Sequence, residues 1–164
     1  MADNPMHSYQ APEGLLKDRI ILVTGAGSGI GRVAARTYAS YGATVILLGR
    51  TISKLESIYD EIEAAGYPKP AIVPMNLEGA AVKDYDEMAM TSEDNFGKLD
   101  GLLHNAGILG SRSPIEQYDP DTWTKVMHVN VTAPFLLTRA TIPLLRKSDD
   151  ASVIFTSSGV GRTA

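Results

Sequence analysis

The sequence predicts an α/β domain built on a doubly wound parallel sheet, and three observations favour this fold class. Short apolar segments rich in Val, Ile and Leu alternate with longer segments that carry helix formers at helical spacing. A glycine-rich stretch at 25–31 joins the first apolar segment directly to the first helical one. A second apolar segment, 44–49, follows at the distance expected for one β-α-β unit.

The predicted elements alternate along the chain. We expect strands at 19–24, 44–49, 71–75, 99–103 and 152–156, and helices at 29–41, 52–65, 79–96 and from 120 onwards. Pro74 in the third strand indicates a sheet edge, because proline has no N–H to donate to a neighbouring strand. The strand order 3-2-1-4-5 places the third strand at such an edge. We therefore predict a Rossmann-like, three-layer αβα domain over 19–164, incomplete at its carboxyl-terminal side, after a polar amino-terminal arm at 1–18.

The composition argues against several classes of protein. A net charge of −4 without a basic stripe makes a nucleic-acid partner unexpected. No apolar run reaches the length of a membrane span, and we expect no signal peptide. The chain has no cysteine, which excludes disulfides and fits a cytoplasmic protein. We interpret the acidic residues of the helix at 79–96 as a solvated face, so we predict no metal site.

The glycine-rich stretch predicts a phosphate-binding turn. It stands where a strand passes into a helix amino terminus, whose unpaired N–H groups and dipole attract anions. Gly25 permits the tight turn, Gly29 lets a pyrophosphate approach the backbone, and Gly31 lets the helix pack closely. The predicted contacts to a dinucleotide come from Thr24, Gly25, Ser28, Gly29, Ile30 and Gly31. The competing interpretation is an ordinary glycine-rich turn between a strand and a helix.

The residues after the second strand favour NADP(H) as the dinucleotide. Enzymes that use NAD place an acidic residue there for the ribose 2′-hydroxyl, whereas enzymes that use NADP lack that acid and supply a cation. This sequence reads Gly49-Arg50-Thr51, with no acid and with a guanidinium suited to phosphate. We predict that Arg50 binds the 2′-phosphate; the alternative is a surface arginine ahead of a helix.

Two further segments follow predicted strands at the sheet edge where an open α/β sheet forms its binding crevice. Asn76 and Leu77 come after the third strand, where either a contact with adenine or a cap on the strand end would account for them. Asn105, Ala106 and Gly107 come after the fourth strand. Small residues there would let a nicotinamide ribose lie against the backbone.

The pattern Thr24-Gly-x-x-x-Gly-Ile-Gly31, taken with Asn105-Ala-Gly107, resembles the short-chain dehydrogenase/reductase family, and the resemblance covers residues 14–164. Three stretches are especially similar to bacterial YciK-type oxidoreductases: 18–25, 45–50 and 99–107. The resemblance implies NADP(H)-dependent hydride transfer between a nicotinamide and a small-molecule carbonyl or alcohol substrate.

The resemblance also implies a homo-oligomer, a dimer or a tetramer, when the protein is full length. Two positions depart from the family pattern. His104 stands where the family usually has Asn, and Asn76 stands where it usually has Asp. An asparagine can still hydrogen-bond adenine.

Two catalytic positions follow from the resemblance. Asn130, with Val129 before it against the cofactor, corresponds to the helix asparagine that holds a water of the proton relay. Pro134 supports this independently, because it cannot donate to the Asn130 carbonyl four residues earlier and so leaves an acceptor for water. A plain kinked core helix is the alternative. Ser158 corresponds to the serine that hydrogen-bonds the substrate carbonyl, with Ser157 as the competing candidate and a loop cap as the alternative.

One family motif has no counterpart in these residues. Hydride transfer to a carbonyl leaves an alkoxide that needs a proton, and the family supplies it from the tyrosine of Tyr-x-x-x-Lys. None of the seven tyrosines is followed by lysine four positions later. We therefore expect the 164-residue chain to be inactive and to be the amino-terminal part of a longer enzyme. The alternatives are a non-catalytic nucleotide-binding module and a poorly folded fragment.

Overall fold

The computed structural model describes residues 9–159 and has the predicted architecture. Five parallel strands form one sheet in the order β3-β2-β1-β4-β5, which confirms the predicted fold class and strand order. The strands are β1 (Ile20–Thr24), β2 (Thr44–Gly49), β3 (Ala71–Pro74), β4 (Gly101–His104) and β5 (Ser152–Phe155). The α-helices are α1 (Gly29–Ser40), α2 (Ile52–Ala64), α3 (Val82–Phe96), α4 (Pro120–Met127) and α5 (Ala133–Leu145).

Two apolar layers cover the sheet, one on each face. Successive side chains of a strand point to opposite faces. Leu22 of β1 therefore packs in the cluster with Tyr85 of α3 and Leu137 of α5, whereas Val23 packs in the cluster with Ile58 of α2. Burial on both faces explains why the central strands are apolar without interruption.

The two outer strands of the described sheet differ in composition. Pro74 ends β3 opposite Gly49 of β2, as predicted for a proline at a sheet edge. All four residues of β5 are exposed, and Ile154 and Phe155 keep 52% and 57% of their surface accessible. The apolar composition of β5 is therefore not matched by burial within residues 9–159.

The predicted arm is attached to the domain at its end. The N–H of Leu16 donates to the carbonyl of Tyr41 at 2.9 Å, and Leu16 packs against the layer on the α1 side. Residues 1–8 of the predicted arm and 160–164 of the predicted domain lie outside the described residues.

The predicted long helix is interrupted by one π-helical turn. It begins at the expected Asp119-Pro120 cap, and α4 then passes through the π turn His128–Thr132 into α5. The N–H of Ala133 donates to a carbonyl five residues earlier, which widens the helix at Asn130. Pro134 follows directly and has no N–H, so it cannot continue the regular ladder. The predicted bend therefore takes the form of a π turn.

A buried carboxylate fastens the amino ends of β1 and β4. Asp100 accepts hydrogen bonds from the N–H of Ile20 at 2.8 Å, from Ser148 Oγ at 2.6 Å, from Lys98 Nζ at 3.0 Å and from Arg19 Nη1 at 3.2 Å. Burial by itself would raise the pKa of Asp100, but these hydrogen bonds outweigh it and lower the pKa to about 2. The ionised form of Asp100 therefore stabilises the fold.

Asp100→Asn should lower the free energy of unfolding by about 2 kcal/mol at pH 7, because the depressed pKa measures how strongly the fold favours the charged form. The stabilisation is complete above the unfolded pKa near 4 and is lost as pH falls towards about 2. Urea unfolding between pH 2 and 7 measures both effects. Asp149→Asn is the matched control, because Asp149 is exposed and directly follows Ser148 in the sequence. Equal stability of the Asp100 variant and the wild type at pH 7 would contradict this account.

Candidate functional site

A cleft of about 390 Å³ opens at the carboxyl ends of the strands. It is lined by the turn after β1 (Gly25, Gly27, Ser28, Gly29, Ile30), the end of β2 and the start of α2 (Leu48, Gly49, Arg50, Thr51, Lys54, Leu55), the turn after β3 (Met75, Asn76, Leu77, Glu78), the turn after β4 (Asn105, Ala106, Gly107, Ile108) and Val129. Four separate turns converge there because parallel strands all present their carboxyl ends at one edge.

The structure brings together nearly all the residues predicted to contact a cofactor. Those that line the cleft are Gly25, Ser28, Gly29, Ile30, Arg50, Asn76, Leu77, Asn105, Ala106, Gly107 and Val129. The predicted residues Thr24 and Gly31 do not line it. Both lie behind the wall of the cleft, where they set the distance between two of its turns.

Thr24 holds the turn after β4 against the end of β1. Its side chain is buried, and Thr24 Oγ1 accepts hydrogen bonds from the N–H of Asn105 at 2.9 Å and of Ala106 at 3.0 Å. The same hydroxyl donates to the carbonyl of Leu103 at 3.3 Å. One side chain thus contacts three backbone groups of the segment 103–106. These hydrogen bonds give Thr24 a positioning role, and its predicted contact with a cofactor stays a prediction.

Gly31 allows α1 to approach the turn after β1. A Cβ at this position would collide with the carbonyl oxygen of Gly25 and would lie 2.6 Å from Asn105 Nδ2. Gly25 itself adopts a φ of +67°, which the tight turn out of β1 requires. The predicted close packing at Gly31 is therefore present, and its partner is the turn itself.

The amino terminus of α1 is well suited to an anion. Ser28 occupies the N-cap position but its side chain makes no capping hydrogen bond, and the first turn of α1 has no acidic residue. The first N–H groups of a helix have no partner within the helix and carry the positive end of its dipole. Ser28, Gly29 and Ile30 line the cleft at this point, so these groups border the open volume.

Asn76 makes a local hydrogen bond at the end of β3. Its Oδ1 accepts from the N–H of Glu78 at 3.3 Å, which is the strand-end cap that the sequence left open. Asn76 also lines the cleft, so the adenine contact stays a prediction. Leu77 is 8% exposed and contributes to the apolar layer on the α3 side as well as to the cleft wall.

The side chain of Asn130 forms two hydrogen bonds with the loop that follows β4. Its Oδ1 accepts from the N–H of Ile108 at 2.9 Å, and its Nδ2 donates to the carbonyl of Ile108 at 2.8 Å. A Cβ on Gly107 would lie 3.3 Å from Asn130 Oδ1, so a small residue suits that position. The side chain of Asn130 is therefore used for positioning. The predicted water relay concerns its main-chain carbonyl and stays a prediction.

The predicted catalytic serine follows β5, beside the turn after β4. The N–H of Thr156 donates to the carbonyl of His104 at 2.8 Å, and Thr156 Oγ1 donates to Asn105 Oδ1 at 3.3 Å. Ser158 comes two residues later and is exposed, as is Ser157. Neither serine lines the cleft in the described part of the chain. The choice between them stays open.

His104, which departs from the family pattern, is a buried residue of β4. Its Nε2 lies 2.8 Å from Thr138 Oγ1 of α5, and its ring stacks on Phe155 of β5 with centroids 4.6 Å apart. Burial lowers the pKa of His104 to about 4, so the ring is neutral at pH 7. Its contacts connect β4, α5 and β5 just before the turn at Asn105.

Nine residues that line the cleft were not among the predicted contacts: Gly27, Leu48, Gly49, Thr51, Lys54, Leu55, Met75, Glu78 and Ile108. Lys54 could have been found from the sequence, because it stands in the first turn of the helix that follows Arg50. Glu78 pairs with Lys125 at 3.6 Å, a contact between distant segments that periodicity does not reveal. Within residues 9–159, no group of three or more His, Asp or Glu residues is placed to hold a metal ion. No helix in that range has the length and apolarity needed to cross a membrane.

The comparisons with known proteins agree with this geometry. The family model for short chain dehydrogenase matches residues 19–164. The chain belongs to this family. It is 50% identical over 157 residues to the Escherichia coli K12 protein named uncharacterized oxidoreductase YciK, covering 96% of this chain and 62% of YciK. The similarity to YciK-type oxidoreductases expected from the sequence is confirmed.

Solved structures of similar proteins show the same fold. A structure from Pseudomonas syringae has a TM-score of 0.92 at 55% identity, covering 94% of this chain and 63% of that one. A structure from Shigella flexneri 2a in complex with NADP has a TM-score of 0.89 at 48% identity, covering 93% of this chain and 64% of that one. The chain therefore spans less than two thirds of the length of these relatives.

Asn130→Ala should release the loop that begins at Ile108. The variant removes a donor and an acceptor, so we expect a stability loss of about 1–2 kcal/mol and much faster hydrogen exchange at the N–H of Ile108. Native-state hydrogen exchange followed by NMR measures both. Asn95→Ala on α3, which removes only a bond to Thr91 in its own helix, is the control. Unchanged protection at Ile108 would show that the Asn130 side chain does not hold this loop.

Proposed function

We propose that this chain binds NADP(H) in the cleft and is the cofactor-binding part of an oxidoreductase acting on a small-molecule carbonyl or alcohol. One observation carries the proposal. The uncapped amino terminus of α1 and the side chain of Arg50 line one continuous cleft, with no acidic residue directly after β2. The complex of the Shigella flexneri relative with NADP supports the choice of dinucleotide.

The proposed roles follow the order of the turns around the cleft. The turn at 25–31 would hold the pyrophosphate on its N–H groups. Arg50 would bind the 2′-phosphate, and Asn76 with Leu77 would contact adenine. The segment at 105–107, with Val129, would lie against the nicotinamide ribose. These residues border the cleft together, apart from the buried Ala26 and from Gly31, whose proposed role is to let α1 approach Gly25.

Bound NADPH would supply the hydride, and the chain's own residues would orient the reacting groups. In reduction, a hydride added to the carbonyl carbon leaves a negative charge on oxygen, which must be stabilised and then protonated. Ser158 would donate a hydrogen bond to that oxygen. Asn130 would fix the loop at Ile108 through its side chain and offer its main-chain carbonyl to a relay water.

The 164 residues contain no tyrosine followed by lysine four positions later. We therefore propose that these residues by themselves bind the cofactor without completing the reaction. This observation also favours a second candidate function, a non-catalytic nucleotide-binding module. Turnover by the 164-residue chain with NADPH and a panel of aldehydes and ketones would contradict both proposals.

A homo-oligomer is also part of the proposal. Apolar side chains are exposed at four-residue spacing along α4, the π turn and α5: Trp123, Met127, Val131 and Phe135. Their exposed fractions run from 38% to 63%, which supports a surface that another copy of the protein could cover. Analytical ultracentrifugation of the protein tests this expectation.

Arg50→Asp should weaken NADPH binding by at least about tenfold and leave NADH binding within about twofold, because only NADPH carries the 2′-phosphate. Fluorescence titration of both nucleotides measures the change. Arg146→Asp, at the end of α5 and away from the cleft, makes the same change in net charge and should affect neither. An equal loss for both nucleotides would remove Arg50 from the specificity role.

A further inference from the structure

We propose that Lys54 is a second determinant of NADPH specificity, and that Gly27 provides the space that lets α2 bring Lys54 to the cleft. The inference rests on the proposed binding of NADP(H). Lys54 would thus have a role in recognising the cofactor, and the glycine at position 27 of the phosphate-binding turn would have a steric reason.

Lys54 stands between two of the turns that build the cleft. It is the third residue of α2, which begins at Ile52, and it lines the same cavity as Arg50. Gly27, from the turn after β1, lines that cavity beside it. Arg50 reaches the cleft from the end of β2, whereas Lys54 reaches it from a helix. Both cations therefore border the cleft at the junction of β2 and α2, a corner of the cleft formed by residues 50–54.

The position of Lys54 is fixed by packing. A Cβ on Gly27 would lie 2.9 Å from Lys54 Cβ, closer than two such atoms approach, and 3.6 Å from Leu55 Cδ2. Leu55 is fully buried, and its Cδ2 would lie 3.1 Å from a Cβ on Gly49. Two glycines thus allow the first turn of α2 to settle against the turn after β1. As a result the base of the Lys54 side chain is held at the rim of the cleft.

The charges around this corner are not compensated. Arg32 and Arg36 of α1 are both engaged by Glu61, at 2.7 Å and 2.6 Å. Within residues 9–159, neither Arg50 nor Lys54 forms an ion pair with a carboxylate. The carboxylate that lines the cleft, on Glu78 after β3, pairs with Lys125. The corner between β2 and α2 therefore carries two positive charges at the border of the cleft, and neither pairs with a carboxylate of residues 9–159.

Two charges match what a 2′-phosphate brings. A phosphate monoester carries about −1.5 to −2 charges at neutral pH, so one guanidinium neutralises only part of it. Arg50 can offer a planar pair of N–H donors, and Lys54 can add a point charge on a flexible stem. NADH has a hydroxyl at that position and gains little from the second cation. Lys54 therefore acts on the ratio of the two affinities.

Lys54→Met is the direct test, because methionine keeps much of the side-chain stem and removes the charge. We expect the Kd for NADPH to rise about tenfold and the Kd for NADH to stay within about twofold. Lys54→Arg should restore NADPH binding. Lys83→Met, at an exposed lysine of α3 outside the cleft, should change neither affinity. Thermal unfolding of each variant without nucleotide checks that the fold is retained.

Gly27→Ala tests the spatial part of the inference. The added methyl group must displace the first turn of α2. We therefore expect Gly27→Ala to weaken NADPH binding more when Lys54 is present than when Lys54 is already replaced by methionine. Additive losses would contradict the role given to Gly27.

The outcomes separate the inference from the function on which it rests. If the wild type prefers NADPH and Lys54→Met keeps that preference unchanged, the role of Lys54 is wrong and the proposed function stands. If Lys54→Met weakens both nucleotides equally, Lys54 is not a specificity determinant. If the wild type binds neither nucleotide, the proposed function and the inference are both overturned.

Discussion

The close contact between the turn after β1 and the turn after β4 is the constraint on which the cleft depends. Thr24 Oγ1 accepts the N–H groups of Asn105 and Ala106, and Gly31 brings α1 against the carbonyl of Gly25. Through these contacts the ends of β1 and β4 and the amino terminus of α1 form one continuous wall. A looser wall would leave the N–H groups of α1 without a fixed position relative to the rest of the cleft.

Electrostatics then divide this cleft into two regions. At the turn after β1, backbone N–H groups and a helix dipole supply partial positive charge that no side chain cancels. Near the start of α2, the positive charge comes from side chains. Glu61 pairs with Arg32 and Arg36, whereas neither Arg50 nor Lys54 forms an ion pair with a carboxylate in the described part of the chain. The cleft therefore suits a ligand with phosphates at two separate points.

Sequence patterns predict the fold well because its determinants are local. Apolar segments and glycines at helix boundaries predict the doubly wound fold class; that class supplies the strand order, with Pro74 consistent with an edge, and the structure confirms the order. Contacts between distant segments are not predictable in this way. The hydroxyl of Thr24 accepts a hydrogen bond from an N–H group 81 positions away, so its role in positioning the turn after β4 is not visible in the sequence. For the same reason, the sequence does not reveal the hydrogen bond between Asn130 and Ile108 or the packing of Lys54 against Gly27.

The central claim is that a diphosphate rests on the N–H groups where β1 passes into α1. Titration of the ¹⁵N-labelled protein with NADPH and with NADH tests it most directly. We expect the amide resonances of residues 25–31 to shift with both nucleotides, while those near Arg50 and Lys54 shift further with NADPH. Resonances of 25–31 that stayed in place, in a sample whose dispersed spectrum shows that it is folded, would contradict binding of the diphosphate at this turn.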